Sequence, residues 1–324
     1  MRRSRATRRG RGRHERAFEP LRRAFEQRDI ERLGCEYDRV MRSRLWLRAA
    51  ARLVEFAYPV RAALAWAGQI EAAIAKHGLP RASRIILRRF LGRWDASISP
   101  LARSAFREGP TIFFGNHPSL LTPFLVAAQI ERDDFRSVST KYVCHLLPSF
   151  GEVSFPVEVP LTRPLTEWRL GRFRRALVFA LVSLIRRVRP PAEVKAANRR
   201  SIQAAIDHVR HGGCIIICPD GGEGHRKDWY PGIGIIAKAL AEQGASAPVR
   251  LVPFIEVNSS NRRVHMSLRR GPLAKLKKAW YARKAVSIAF GAPVLLSQVV
   301  KQEHSVAEIV ASLFLTYKKA MGRP

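Results

Sequence analysis

The sequence is short of acids, of long apolar runs and of paired cysteines, and each shortage excludes something. Against 58 Lys and Arg stand only 26 Asp and Glu, a formal charge of +32. A field of that sign repels cationic partners and favours nucleic acid, anionic lipid headgroups or phosphorylated substrates. No run reaches the ~18 apolar residues of a spanning helix, so no helical membrane span is expected. The nearest approach is RRALVFALVSLIRR, residues 174–187, ten mostly apolar residues between arginine pairs. It suits either a buried helix or one lying in a membrane interface with its arginines at the headgroups. The four cysteines, Cys35, Cys144, Cys214 and Cys218, form no C-x-x-C pair and no Cys/His ligand spacing, which argues against a zinc site or a dithiol redox motif. They read as buried thiols in a reducing compartment. Neither the P-loop spacing nor G-x-G-x-x-G occurs.

Residues 1–16 lack the apolar core of a secretory signal. Arg-rich and acid-poor, they bear a faint resemblance to an organellar transit peptide and read as a disordered basic tail. They hold eight Arg and one Glu, leaving +25 for the rest. The charge therefore belongs to the folded part as well. It invites a nucleic-acid reading, but no binding motif and little aromatic interleaving accompany it, so nucleic acid is not the expected partner. A hydrophobic content of 47% argues against wholesale disorder.

Two regions follow the tail. Residues 17–100 form a mainly helical region: through residue 90, apolar residues recur at three- and four-residue spacing with Arg and Glu between. Pro59 should kink or divide this region and Gly78 with Pro80 punctuate its end. Such helices fit a core or a bilayer surface. From residue 101 to 324 the pattern is α/β. Strands are expected at 111–116, 135–143, 155–163, 214–218, 249–258, 262–271 and 285–294. Helices are expected at 196–213, 232–244 and 305–322. This alternation predicts a mixed, mainly parallel sheet flanked by helices, with sites at strand ends.

Three segments carry candidate chemistry. In GNHPSLLTP, Gly115–Pro123, a histidine follows a buried strand, and Asn116 and Ser119 can bond the backbone of the turn. His117 is a base or a structural histidine. Thr122 before Pro123 has the pattern of a helix N-cap. In CPDGGEGHR, Cys218–Arg226, a carboxylate and three glycines follow a second apolar strand. Backbone N–H groups at Gly221 and Gly222 and the cation Arg226 suit an anion, although a plain polar turn fits equally. Arg163 ends the extended segment VPLTR.

In this order and spacing, NHPS, VPLTR, CPDGG and the LVPFIEVN strand resemble the glycerophosphate and lysophospholipid acyltransferase family. That family is marked by an N-H-x-S-x-x-D loop, a block ending in Arg, a P-E-G-T-R block and a V-P-V strand. WYPGIGIIAKALAEQG and VSIAFGAPVLLSQ are similar to its later helix and strand. The resemblance covers roughly residues 108–300.

The resemblance implies a peripheral enzyme on the cytoplasmic face of a membrane. It would move a fatty acyl group from acyl-CoA or acyl-carrier protein to a lyso-lipid or glycerophosphate-like acceptor, with no metal or other cofactor. His117 would be the general base, and backbone N–H groups near its turn would steady the oxyanion. Arg163 and the turn at Asp220, Gly221 and Gly222 would hold the acceptor's polar head, with basic helices on an anionic lipid face. Two positions depart from the family pattern. Thr122 stands where the family has the aspartate that orients the imidazole; in a serine-protease triad, loss of that charge lowers turnover about 10⁴-fold. Asp220, Gly222 and Glu223 stand where it has Glu, Thr and Arg, with Arg226 the nearest substitute cation. Glu152, Glu158 and Glu223 are the candidates to replace the missing acid. The departures leave a second reading open, a catalytically impaired relative that binds lipid or regulates a partner.

Overall fold

The computed structural model describes residues 18–43, 45–91, 93–158, 189–221, 229–301 and 303–322. Arg163, the 174–187 segment, Gly222, Glu223 and Arg226 lie outside them.

The chain opens with helices α1 (Glu19–Glu26), α2 (Ile30–Arg42), α3 (Leu45–Ala57) and α4 (Val60–Leu91). Pro59 separates α3 from α4 as its ring geometry requires. Gly78 sits at φ 70°, ψ 164° inside α4. It breaks that helix, and Pro80 enters the first turn of the renewed one, where its missing N–H costs nothing. The expected stop at residue 78 is thus a bend.

Eight strands form one sheet in the order β1 (Trp94–Ile98), β7 (Val286–Phe290), β6 (Arg250–Val257), β2 (Thr111–Gly115), β5 (Cys214–Ile217), β3 (Phe135–Thr140), β4 (Ser154–Val157). The short β8 (Val294–Leu295) also pairs with β6. β6 runs antiparallel to β7 and β8, and the remaining pairings are parallel. The sheet is therefore mixed and mainly parallel. β1 falls within the segment read as helical. It is a largely exposed edge strand, WDASI, with no apolar pattern to announce it.

Helices cover both faces. Residues of α4 such as Ile74, Ile86 and Leu87 join Phe113, Ile216, Val252, Phe254 and Ile288 in one core. Against the other face, Phe114, Ile217 and Leu251 meet α8 (Pro191–Arg210), α9 (Gly232–Gln243), the short α12 (Leu296–Val299) and α13 (Val306–Ala320). The alternation of Phe113 and Phe114 between the cores is the period of two at work. So α4 packs on the core, which answers for that helix the choice between core and bilayer.

Two expectations fail locally. Residues 262–271 were expected to be a strand but form helix α10 (Asn261–Leu268), because Ser260 caps it by accepting the Arg263 N–H at 3.2 Å. The third strand ends at Thr140, and Lys141 begins a helix. All four cysteines are free thiols. Cys144 and Cys214 are buried, but Cys35 is exposed and Cys218 half-buried, so the buried reading holds for two of them.

Candidate active site

β5, β2 and β6 are adjacent and parallel, so their carboxyl ends share one edge of the sheet. The NHPS loop leaves β2, the CPDG turn leaves β5, and the residues before α10 leave β6. Strands β2 and β6 touch closely where the loop begins. A Cβ on Gly115 would lie 2.1 Å from the Phe254 carbonyl oxygen, a contact no other residue tolerates.

The loop is tied on both sides. The Asn116 amide donates to the Glu256 carbonyl at 2.9 Å and accepts the Glu256 N–H at 2.8 Å. It behaves as one more rung of the β2–β6 ladder. The His117 N–H donates to Asp220 Oδ2 at 2.8 Å, tying the loop to the β5 turn. The Leu120 N–H donates to Asn261 Oδ1 at 2.9 Å, at the start of α10. The turn itself is tight: Gly221 sits at φ 62°, and a Cβ there would lie 2.4 Å from the Tyr230 ring.

At the centre lies a residue missed at the sequence level. Glu256 is 2% exposed, on the same strand face as the buried Val252 and Phe254. Its Oε1 accepts from Ser119 Oγ at 3.0 Å, and its Oε2 contacts Thr122 Oγ1. Ser259 Oγ donates to Ser119 Oγ at 2.8 Å. The Thr122 hydroxyl also lies 2.8 Å from the Ser119 carbonyl. That hydroxyl has one proton and two acceptors within reach. A neutral Glu256 resolves the conflict: its own proton bridges Oε2 to Thr122 Oγ1, and the Thr122 proton goes to the Ser119 carbonyl. An ionised Glu256 leaves one of those contacts without a hydrogen. Consistently, burial pushes the Glu256 carboxyl up to about 7, against the pull of the three hydroxyls, and the nearby Asp220 charge pushes the same way. A lone acid on the inward-facing register of an apolar strand was the available signal.

Thr122 is therefore not the cap. Helix α5 (Thr122–Ala127) is preceded by Leu121 at the cap position, and Thr122 is its first residue. Its hydroxyl faces the acid instead. Of the proposed substitutes, Glu158 is engaged by Arg189 at 3.4 Å and Lys141 at 3.8 Å. Glu152 is exposed at the end of helix α7 (Pro148–Glu152), which follows α6 (Lys141–Leu146).

His117 itself is half-buried. Its Nδ1 is shut off from solvent and has no hydrogen-bond partner among the described residues. Burial lowers the imidazole's pKa below its usual 6.5, and the Asp220 charge opposes that. Burial thus favours the neutral ring, the state a general base requires. Burial and the charges of Asp220 and Glu256 hold the thiol of Cys218, just after β5, well above the usual range, which disfavours its thiolate.

The structure brings Asn116, His117, Ser119, Thr122, Asp220 and Gly221 to one edge. Asn116 and Ser119 are occupied with protein partners rather than free for a ligand. The loop N–H groups of His117, Leu120, Leu121 and Thr122 are likewise committed to protein acceptors. The chain matches no protein-family model and no curated protein.

Proposed function

We propose that the chain is a peripheral membrane acyltransferase, moving a fatty acyl group from acyl-CoA or acyl-carrier protein to a hydroxyl of a lyso-lipid or glycerophosphate-like acceptor. One observation carries this reading: a histidine at the end of a central parallel strand, on a loop clamped from both neighbouring strands. The sequence resemblance to glycerophosphate and lysophospholipid acyltransferases supports it.

In this reading His117 takes the acceptor's hydroxyl proton as the oxygen attacks the thioester carbonyl. The tetrahedral intermediate then expels the thiolate, which recovers the proton from the imidazolium. Asp220, whose charge favours that imidazolium, supplies the electrostatic support. Glu256, Ser119 and Thr122 hold the loop.

The test is transfer of radiolabelled acyl groups, from both donor types, to a panel of lyso-lipids in anionic vesicles. His117→Ala should lower the rate about 10²–10⁴-fold, the usual share of a positioned base. Unchanged transfer in that variant would sink the mechanism. The unpartnered Nδ1 favours a second reading, a lipid-binding or regulatory protein on the same scaffold. Vesicle binding with neither transfer nor hydrolysis for any donor would favour it.

A further inference from the structure

Helix α11 (Pro272–Ala282) stands out among the described helices for how little it buries. Within it only Ala274 is buried, while Leu273, Leu276 and Trp280 are 75%, 70% and 62% exposed. At 100° per residue these three lie within about 60° of one another, a narrow apolar stripe on solvent. Lys277 and Arg283 flank it on the helix wheel.

Residues 269–284 hold seven Lys and Arg and no acid. Lys275, Lys277, Lys278 and Lys284 form no ion pair with the described residues. A second apolar element adjoins. Phe56, at the end of α3, is 73% exposed, and the Arg269 guanidinium lies 5.9 Å from its ring centre. Tyr58 meets His265 of α10 edge-on at 4.4 Å.

We infer that α11, with the end of α3 beside it, is the surface by which the protein lies on an anionic lipid bilayer. The stripe supplies apolar insertion, Trp280 sits at headgroup depth, and the flanking cations meet lipid phosphates. A second copy of this chain would bring the same cations against one another, which leaves an anionic surface as the complementary occupant. The inference deepens the reading above and rests on it for the orientation of the site. The α10–α11 hairpin grows from the segment that holds the His117 loop through Ser259 and Asn261. Docking by α11 thus turns the reactive edge toward the lipid.

The test uses the full chain in co-sedimentation with vesicles of phosphatidylglycerol or of phosphatidylcholine. Wild type should prefer the former. The triple variant Leu273→Ser/Leu276→Ser/Trp280→Ser, and separately Lys277→Glu/Arg283→Glu, should each weaken binding about 100-fold. Their melting curves should match wild type, since these positions are exposed. Brominated lipids should quench the fluorescence that Trp280→Phe removes. His117→Ala should bind vesicles normally, so loss of transfer in that variant speaks to the chemistry alone. Three results would overturn docking by α11: wild type that ignores phosphatidylglycerol vesicles, a serine triple variant that binds like wild type, or Trp280 fluorescence untouched by brominated lipid. A protein that passes none of these yet binds nucleic acid with steep log-linear salt dependence would assign the charge to that partner instead.

Discussion

His117 and Glu256 stand on neighbouring strand ends, and they differ in how well the protein satisfies them. The imidazole has a buried nitrogen with no partner among the described residues. The carboxyl is met by Ser119 and Thr122, and the Ser259 hydroxyl, bonded to Ser119, stands close enough to act on it as well. Where an orienting acid normally serves the base, here the acid serves the loop that carries the base. The difference teaches that Thr122 carries no charge, yet a carboxyl stands in contact with it. The carboxyl stands on another strand and does another job.

The harshest way to break this comparison is Thr122→Asp, which puts an acid directly against Glu256. It would set two carboxyls in contact where Thr122 is 0% and Glu256 2% exposed. We expect a loss of stability of about 4 kcal/mol in urea unfolding, with no gain in transfer. Thr122→Asp combined with Glu256→Gln should recover most of that loss. Additive effects of the two substitutions would show that the side chains do not interact.

A smaller effect sharpens the protonation state of the acid. Its carboxyl is raised from 4.5 to about 7 in the fold. Between those values the folded protein keeps a proton that the unfolded chain has released. Stability should therefore fall as pH rises from about 4.5 to 7, by about 3 kcal/mol from this group, and level off above. His117, lowered below 6.5, works in the opposite sense, since its neutral form is favoured in the fold. The comparison with Glu256→Gln isolates the acid. That variant mimics the neutral carboxyl, and its advantage over wild type should grow across the window; a constant difference would mean that Glu256 does not titrate there. The smallest expected effect is Ser259→Ala, about 1 kcal/mol, because Ser119 Oγ keeps the Leu121 N–H at 3.2 Å. A cost of 3 kcal/mol or more would place Ser259 at the centre of the network rather than its rim.

Much of the scaffold was legible because its signals are local. Apolar runs such as CIII and TIFFG mark buried strands, Pro59 divides two helices, and Ser305 with Glu308 forms the capping box of α13. Residues 262–271 misled because Val264, Met266 and Leu268 alternate as in a strand, while the cap at Ser260 and burial of Arg263 and Val264 make a helix. The candidate site was half legible. His117 and Asp220 announce themselves beside turns, and the structure joins them. Glu256 did not, because its partners lie some 140 residues away in sequence. Only the fold brings β6 against β2. Thr122 was read as a cap for the same reason: the short-range pattern fits, and the long-range partner decides.

The pairing of Asn116 with Glu256 has a consequence for substitution at position 256. It uses only the main-chain N–H and carbonyl of position 256. This one anchor of the loop and the identity of the side chain at 256 are therefore separate traits. Substitution at 256 would cut the side-chain contacts to Ser119 and Thr122 and still leave this main-chain pairing in place.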